Sequence, residues 1–451
     1  MQNIITLDVL CATSDQGFSL DELVFRTQEL FLTEGLPGVV SLILQLVDEK
    51  LSIDMMQGRT NSDPCACCSQ PAYVSHDRPS RRFRTSVGDV SLRWRRVKCT
   101  RCGKTHIPLQ RFLGLEPYQS KTAELEKLVT EIVSEQSYRR SSDHLNRIGR
   151  IPVPKSTAHR WVVQSECDQL DSGHETLDVL FADGTGYKRR PNPDAGITNR
   201  GELRIALGVD KKGRIVPLGA FSGQDWETIA AVVQSHVAEG KPVADILVSD
   251  GERGLIQSLG RLCNDQQRSH WHLVRDLNHT MWQNDAGKPE RRHAQKHLAA
   301  IIGIELPEED FERIREEDKE HLDQAVTEAE CDIRKLITRL LDKGYQVAAD
   351  YLIRACKNIF GYVRRWLETG IVTPRVSSMI ERMMRELARR LKRMAFGWSE
   401  QGAAKMARII IKRFTSAGQW EKYWREKLRI DDNVMLVLKT IKVKNPQTLG
   451  R

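Results

Sequence analysis

Apolar residues recur at helical spacing over the first sixty positions, where Ser19-Leu20-Asp21-Glu22 has the form of a capping box opening a run through Phe31. Gly35, Pro37 and Gly38 predict a break, after which a second run covers 39–51. From 61 to 111 the texture changes to turns and alternation, and Val90-Ser91-Leu92-Arg93-Trp94-Arg95 keeps the period of two that a half-buried strand requires. Helical spacing returns over 118–170: 123–133 predicts one helix, 141–148 a short second, 149–154 a break, and Ser156-Thr157-Ala158-His159-Arg160-Trp161 a third with a hydroxyl cap. A short helix, a tight break and a capped helix outline a helix-turn-helix, with Lys155 and Arg160 placed to meet DNA. A packed three-helix bundle shares that outline.

Residues 177–254 mix the two periods. The alternation over 203–209, the turn Asp210-Lys211-Lys212-Gly213 and the apolar return over 215–220 predict a hairpin. Asp225 caps a helix reaching His236, and 244–249 is a buried strand leading into Asp250. This is mixed α/β order: antiparallel strands, a crossover helix, a further strand. From 291 to 369 the chain is almost wholly amphipathic helix, which implies a helical insert. A last set of helices spans 376–428, and the final twenty residues read as a tail with one more helix at most.

Length and charge refine this picture. At 451 residues the chain suggests about three folding units. Its formal net charge is +9, yet residues 351–430 hold 19 Lys/Arg against 6 Asp/Glu, so this stretch alone carries +13 and the remainder about −4. Residues 78–104 hold ten basic residues and one acidic, Asp89. Two concentrated basic blocks favour a polyanionic partner, although a solvated helix face also explains the second block taken alone. No uninterrupted apolar run approaches the roughly 18 residues of a membrane span, and a start containing Asp8 and Asp15 lacks a signal pattern. The expectation is a cytoplasmic protein with no membrane partner.

Four of the ten cysteines form two pairs, Cys65-Ala66-Cys67-Cys68 and Cys99-Thr100-Arg101-Cys102. Each Cys-x-x-Cys can turn two thiolates toward one tetrahedral Zn²⁺, which predicts a zinc ribbon on Cys65, Cys68, Cys99 and Cys102 with a β-hairpin in the 30-residue spacer. Cys67 is read as the spare, with exchange for a neighbour left open, and His106 as an ordinary surface histidine. Arg93, Arg95 and Arg96 give the ribbon a positive surface suited to phosphates.

Three acidic residues close different local patterns. Asp183 follows the apolar run 177–182, Asp250 follows 246–249, and Glu381 sits on a basic helix. Each has an innocent explanation: Asp-Gly turns at the first two, and at Ser378-Met379-Ile380-Glu381 a capping box. Gathered together, they make an oxygen-rich set for Mg²⁺ or Mn²⁺, the cations of phosphodiester chemistry. Ile380, Met383, Leu387, Leu391 and Met394 predict an apolar stripe around Glu381, and Arg382, Arg385, Arg389, Arg390, Lys392 and Arg393 a cationic face for phosphates. Asp210 and Asp276 are acidic decoys, in a hairpin turn and beside Arg275.

The strings Phe181-Ala182-Asp183-Gly184-Thr185, Val248-Ser249-Asp250-Gly251-Glu252-Arg253-Gly254-Leu255 and Ser377-Ser378-Met379-Ile380-Glu381-Arg382 resemble the three catalytic blocks of DDE transposases, in particular bacterial insertion-sequence enzymes related to the Mutator type. The cysteine segment followed by Pro108-Leu109-Gln110-Arg111-Phe112-Leu113-Gly114-Leu115 is similar to the N-terminal regions of such enzymes, and the resemblance covers roughly 60–425. It implies an RNase H-like core interrupted by an all-helical insertion, with Asp183, Asp250 and Glu381 as catalytic metal ligands. Such enzymes often carry a Cys or Asp three residues before a His. Here His272 fits and Ser269 departs, so His272 is a candidate for the scissile phosphate or a metal ligand, or for packing.

The expected architecture is an α+β multidomain chain: helices over 1–60, a zinc β-ribbon over 61–117, helix-turn-helix-like helices over 118–172, an RNase H-like mixed core over 173–284 and 373–430, an all-helical insertion over 285–372 and a tail over 431–451. The expected function is metal-dependent cleavage at transposon ends and strand transfer into target DNA. Its partners would be terminal inverted repeats, target DNA and further copies of the chain, at least as a dimer. A transposase-derived DNA-binding regulator and a nuclease that cuts without joining are the alternatives.

Overall fold

A computed structural model of the chain describes residues 19–58, 64–69, 72–191, 198–393, 396–430 and 436. Met394 of the expected stripe, the first 18 residues and nearly all of the expected tail lie outside the described residues. The chain divides into two compact units, 1–164 with 424–451 and 165–423.

In the first unit, α1 (Leu20–Leu30) begins with Ser19 Oγ accepting the Glu22 amide at 3.0 Å. The break expected at Gly35, Pro37 and Gly38 does not occur. A π turn, Phe31–Gly35, in which the Leu36 amide bonds Phe31 O, carries the helix into α2 (Leu36–Met56), and Pro37 costs the continuous ladder one N–H without ending it. The continuous helix Leu20–Met56 is long and apolar enough to cross a membrane by length and composition, which corrects the expectation that no such stretch exists. Assuming a break hid it. Its second half packs on protein: Leu44, Val47 and Leu51 lie against Phe83, Leu92, Trp94 and Leu109, and Asp48 Oδ2 accepts the Arg95 amide at 2.8 Å.

The alternating segment folds as two small sheets. β2 (Ser80–Thr85) and β3 (Gly88–Arg93) form the hairpin, while β1 (Tyr73–Asp77), β4 (Arg96–Cys99) and β5 (Thr105–His106) form an antiparallel sheet in the order β1-β4-β5. A short α3 (Pro108–Phe112) follows, then α4 (Ala123–Glu135), α5 (Tyr138–Gly149) and α6 (Lys155–Gln164). Thr122 and Ser137 cap α4 and α5, and Arg150 ends α5 with a left-handed φ of 53°. Ser156 lies inside the first turn of α6, where Pro154 precedes the helix, and does not cap it.

The second unit is built on a five-stranded mixed sheet. β6 (Leu177–Lys188), β7 (Arg200–Val209) and β8 (Ile215–Ser222) are antiparallel; β9 (Ala244–Ser249) lies parallel to β6 and β10 (Cys263–Arg268) parallel to β9. The order is β10-β9-β6-β7-β8. β10, Cys-Asn-Asp-Gln-Gln-Arg, escaped sequence reading because its residues are polar, as an edge strand tolerates. α7 (Trp226–Ser235), capped by Asp225, and α8 (Arg253–Leu259) pack Trp226, Ile229, Val233, Leu255 and Leu259 against Leu180, Ala206, Leu218 and Leu247.

α9 (His270–Gln283) leaves the sheet edge and joins α10 (Lys288–Ile301), α11 (Glu316–Asp342), α12 (Gln346–Ala355) and α13 (Gly361–Thr369) around Leu277, Leu298, Ile333, Leu336 and Leu352. The returning end is pinned beside the departing one. Gln267 donates to Ile359 O at 2.8 Å and accepts the Tyr362 amide at 2.8 Å, while buried Arg365 pairs with Asp178 of β6 and Asp245 of β9. α14 (Ser378–Leu391) then packs on β6 and α15 (Glu400–Thr415) on β8, before α16 (Ala417–Leu428).

Candidate active site and metal centre

β6 is the middle strand, and its pairing fixes two carboxylates. Ala182 stands opposite Ser249 on parallel β9, so Asp183 and Asp250 occupy the next positions on neighbouring chains. Adjacent strands lie about 4.8 Å apart, which brings the two side by side. Asp183 was expected to end its strand. It does not: β6 runs on to Lys188, and Asp183 is paired with Ile205 of β7, which removes the turn as an explanation for this aspartate. Its Oδ1 accepts the Gly184 amide at 2.7 Å. Asp250 does occupy a turn, accepting the Glu252 amide at 2.9 Å, and Gly251 beside it has φ +82°. A Cβ on Gly251 would fall 1.0 Å from Arg268 Nη1, so a side chain there would have to displace that guanidinium and would sit at a strained positive φ.

Glu381 lies in the first turn of α14. The expected capping box is absent, because Ser378 is the first helical residue and Ser377, the N-cap, makes no side-chain bond to a backbone amide. Instead Ser377 Oγ donates to Glu381 Oε1 at 3.2 Å, lies 3.4 Å from His272 Nδ1 and 3.2 Å from Ser269 Oγ. Both serines are buried. The two hydroxyls therefore connect the start of α9 to the start of α14, and the carboxylate is held by a side chain. Sequence reading noticed Ser269 only as a departure from a pattern; its partner 108 residues away gave no local signal.

Burial first, and Asp250 second, push the Asp183 carboxyl up to about 7; Glu381 adds to this, while the Gly184 amide and Arg275 oppose it. Burial, then Arg275, holds the His272 imidazole below its usual range, with Asp250, Asp276 and Glu381 opposing. Asp276 bonds Arg275 Nε at 2.7 Å, and Asp210 accepts the Lys212 and Arg214 amides at 2.9 Å each. Carboxylate oxygens are of the hard type that Mg²⁺ or Mn²⁺ accepts, and Arg275 offsets part of their negative charge. Among the described residues, however, the four cysteines are the one group whose ligand atoms gather closely enough to hold a metal ion, and Asp183, Asp250 and Glu381 do not form such a group.

In the first unit the sulfurs of Cys65, Cys68, Cys99 and Cys102 form that closed set, with Cys65–Cys102 at 3.6 Å and Cys68–Cys99 at 3.5 Å. Tetrahedral Zn–S bonds of about 2.3 Å put sulfurs about 3.8 Å apart, so the cluster could hold a structural metal such as zinc. The Cys67 amide is the largest influence on the Cys65 thiol, held down at about 5, while the Cys67 side chain is exposed and outside the set. His106 is no ordinary surface residue: its Nε2 lies 3.4 Å from Cys65 Sγ and its ring meets Tyr73 edge-on at 5.7 Å.

The basic residues divide. Arg93, Lys155, Arg160, Arg382, Arg385, Lys392 and Arg393 are exposed, and Arg389 is exposed with an ion pair to Glu386 at 2.8 Å. Arg96 pairs with Asp77 at 3.3 Å. Two expectations fail. Arg95 keeps only 14% of its side chain exposed, against α2 and 3.9 Å from Glu49. Arg390 is 3% exposed with its guanidinium 4.5 Å from the Trp398 ring, because position 390 falls on the helical face of Met383 and Leu387.

No protein-family model matches the chain, and no curated protein matches it. Among solved structures, a chain of the Drosophila P element transposase strand transfer complex is similar over 68% of this chain and 84% of that chain, at 14% identity and a TM-score of 0.22. A likeness that weak decides neither fold nor chemistry.

Proposed function

We propose that the chain is a DDE-type DNA transposase, with an RNase H-like core in its second unit and an all-helical insertion before the third acid, of the bacterial insertion-sequence kind related to the Mutator type. What supports the reading is the pairing of β6 with β9, which sets Asp183 beside Asp250 in a negative, partly buried position. Phosphodiester chemistry of this type uses two cations about 3.5–4 Å apart. Asp183, Asp250 and Glu381 would hold Mg²⁺ or Mn²⁺, which when bound would activate the attacking oxygen and stabilise the departing one.

The protein's own groups orient and neutralise. Ser377 fixes the Glu381 carboxylate, and neutral His272 meets the same hydroxyl through Nδ1. Arg275, in electrostatic range of Asp183 and Asp250, offers positive charge to a scissile phosphate. The zinc ribbon and helices α4–α6 would recognise terminal inverted repeats through residues such as Arg93, Lys155 and Arg160, while Arg382, Arg385, Arg389, Lys392 and Arg393 hold phosphates without reading sequence. Joining two ends requires at least two copies of the chain.

The test is incubation of the full chain with labelled DNA from the flanks of its own coding region, in Mg²⁺ or Mn²⁺. Nicked ends and joined products are expected, and Asp183→Asn, Asp250→Asn and Glu381→Gln should abolish both while leaving DNA binding intact. Cutting without joining would make the protein a nuclease. Binding without cutting by the unaltered chain would make it a regulator.

A further inference from the structure

α9 carries a stripe that its packing does not explain. Leu273, Leu277 and Met281 bury the inner face, whereas Trp271, Arg275, His279 and Trp282 are exposed, two of them large aromatics at 47% and 58%. At 100° per residue these four positions fall within about 80° of one another, so they form one line along the helix. The line is already assembled: the Arg275 guanidinium lies 4.8 Å from the Trp271 ring, and His279 stacks on Trp282 with centroids 5.7 Å apart and planes 19° from parallel. It starts at the acidic site, since the Trp271 ring meets the His272 ring edge-on at 4.8 Å and His272 touches the hydroxyl that holds Glu381.

Rings about half exposed to solvent, each backed by a neighbouring side chain and interleaved with a cation that Asp276 orients, match unpaired bases joined by phosphates. A duplex keeps its base faces stacked inside and offers them nothing, whereas each base of a single strand presents a π face. From Trp271 to Trp282 the helix rises about 16 Å, the reach of about three to five nucleotides of one strand. We propose that α9 is a stacking platform for single-stranded DNA, with Trp271 and Trp282 taking bases and Arg275 a phosphate, so that a strand freed from its complement is led to the carboxylates. The inference rests on the transposase reading for its purpose and on the stripe alone for its binding.

The experiment measures binding of a fluorescent single-stranded 12-mer and of the matching duplex to the full chain in EDTA, where no cleavage occurs. Trp271→Ala with Trp282→Ala should weaken single-strand affinity about tenfold or more, Trp271→Phe with Trp282→Phe should restore most of it, and duplex affinity should stay unchanged. Both side chains are exposed, so the double variant should melt with the parent protein, and melting is recorded alongside. Single-strand affinity unchanged in the alanine variant overturns the proposal. So does a fall in sedimentation mass of the DNA-free alanine variant, which would make the stripe a contact between copies. Normal cleavage by Asp183→Asn, or no cleavage by the unaltered chain, would overturn the transposase reading and leave this measurement unaffected.

Discussion

Asp183 carries its own titration signature. Its folded pKa of about 7 lies above the ordinary 3.8, so between those values the native state holds a proton that the unfolded chain releases. Stability therefore falls as pH rises from about 4 through 7. In EDTA, Asp183→Asn should match the parent near pH 4 and exceed it by about 2–4 kcal/mol at pH 8, with Mg²⁺ stabilising only the parent. Denaturant titrations at both pH values check this, and parallel curves would mean that Asp183 is not an electrostatically strained group. Ser377 answers a different question. Removing its hydroxyl leaves Glu381 without the bond that orients it, so Ser377→Ala should raise the Mn²⁺ needed for half-saturation by about tenfold, and Ser377→Thr should restore it. Calorimetric Mn²⁺ titration reads this without any catalysis. Asp183 and Asp250 were legible as acids at the ends of apolar runs, but the contacts of Ser377 with Ser269 and His272 were not, because they join residues over a hundred positions apart.

At the scale of elements, periodicity located most helices and the β7–β8 hairpin, since burial on one face imposes a period that composition alone cannot mimic. It failed where a second constraint intervened. A π turn absorbed Gly35 and Pro37, β10 is a strand made of polar residues, and Arg390 follows helical phase into the interior although charge counting put it outside. The ribbon has a small core: among the described residues, Met55, Tyr73, Val97 and two metal-ready cysteines are buried together beneath β1 and β4. Its stability should depend on the ion. Cys65→Ser or Cys99→Ser should cut bound zinc from one equivalent to none by elemental analysis and expose the 64–106 segment to protease, whereas Cys67→Ser should keep both. Zinc retained in Cys65→Ser would point to Cys67 or His106 as a substitute ligand.

For the molecule as a whole, length predicted about three folding units where the chain divides into two, charge predicted a polyanion as partner, and the division that assigns 424–451 to the unit of the first 164 residues was invisible to a linear reading. A sequence window sees neighbours, and a fold counts contacts. One consequence of the topology concerns time. Asp183 and Asp250 are translated first, and Glu381 follows Asp250 by 381 − 250 = 131 residues, the whole helical insertion lying between. At roughly 5–20 residues per second, that interval lasts about 7–26 s. A growing chain thus displays two of the three proposed acids well before the third exists, so the proposed site is complete only after the intervening helices have been made.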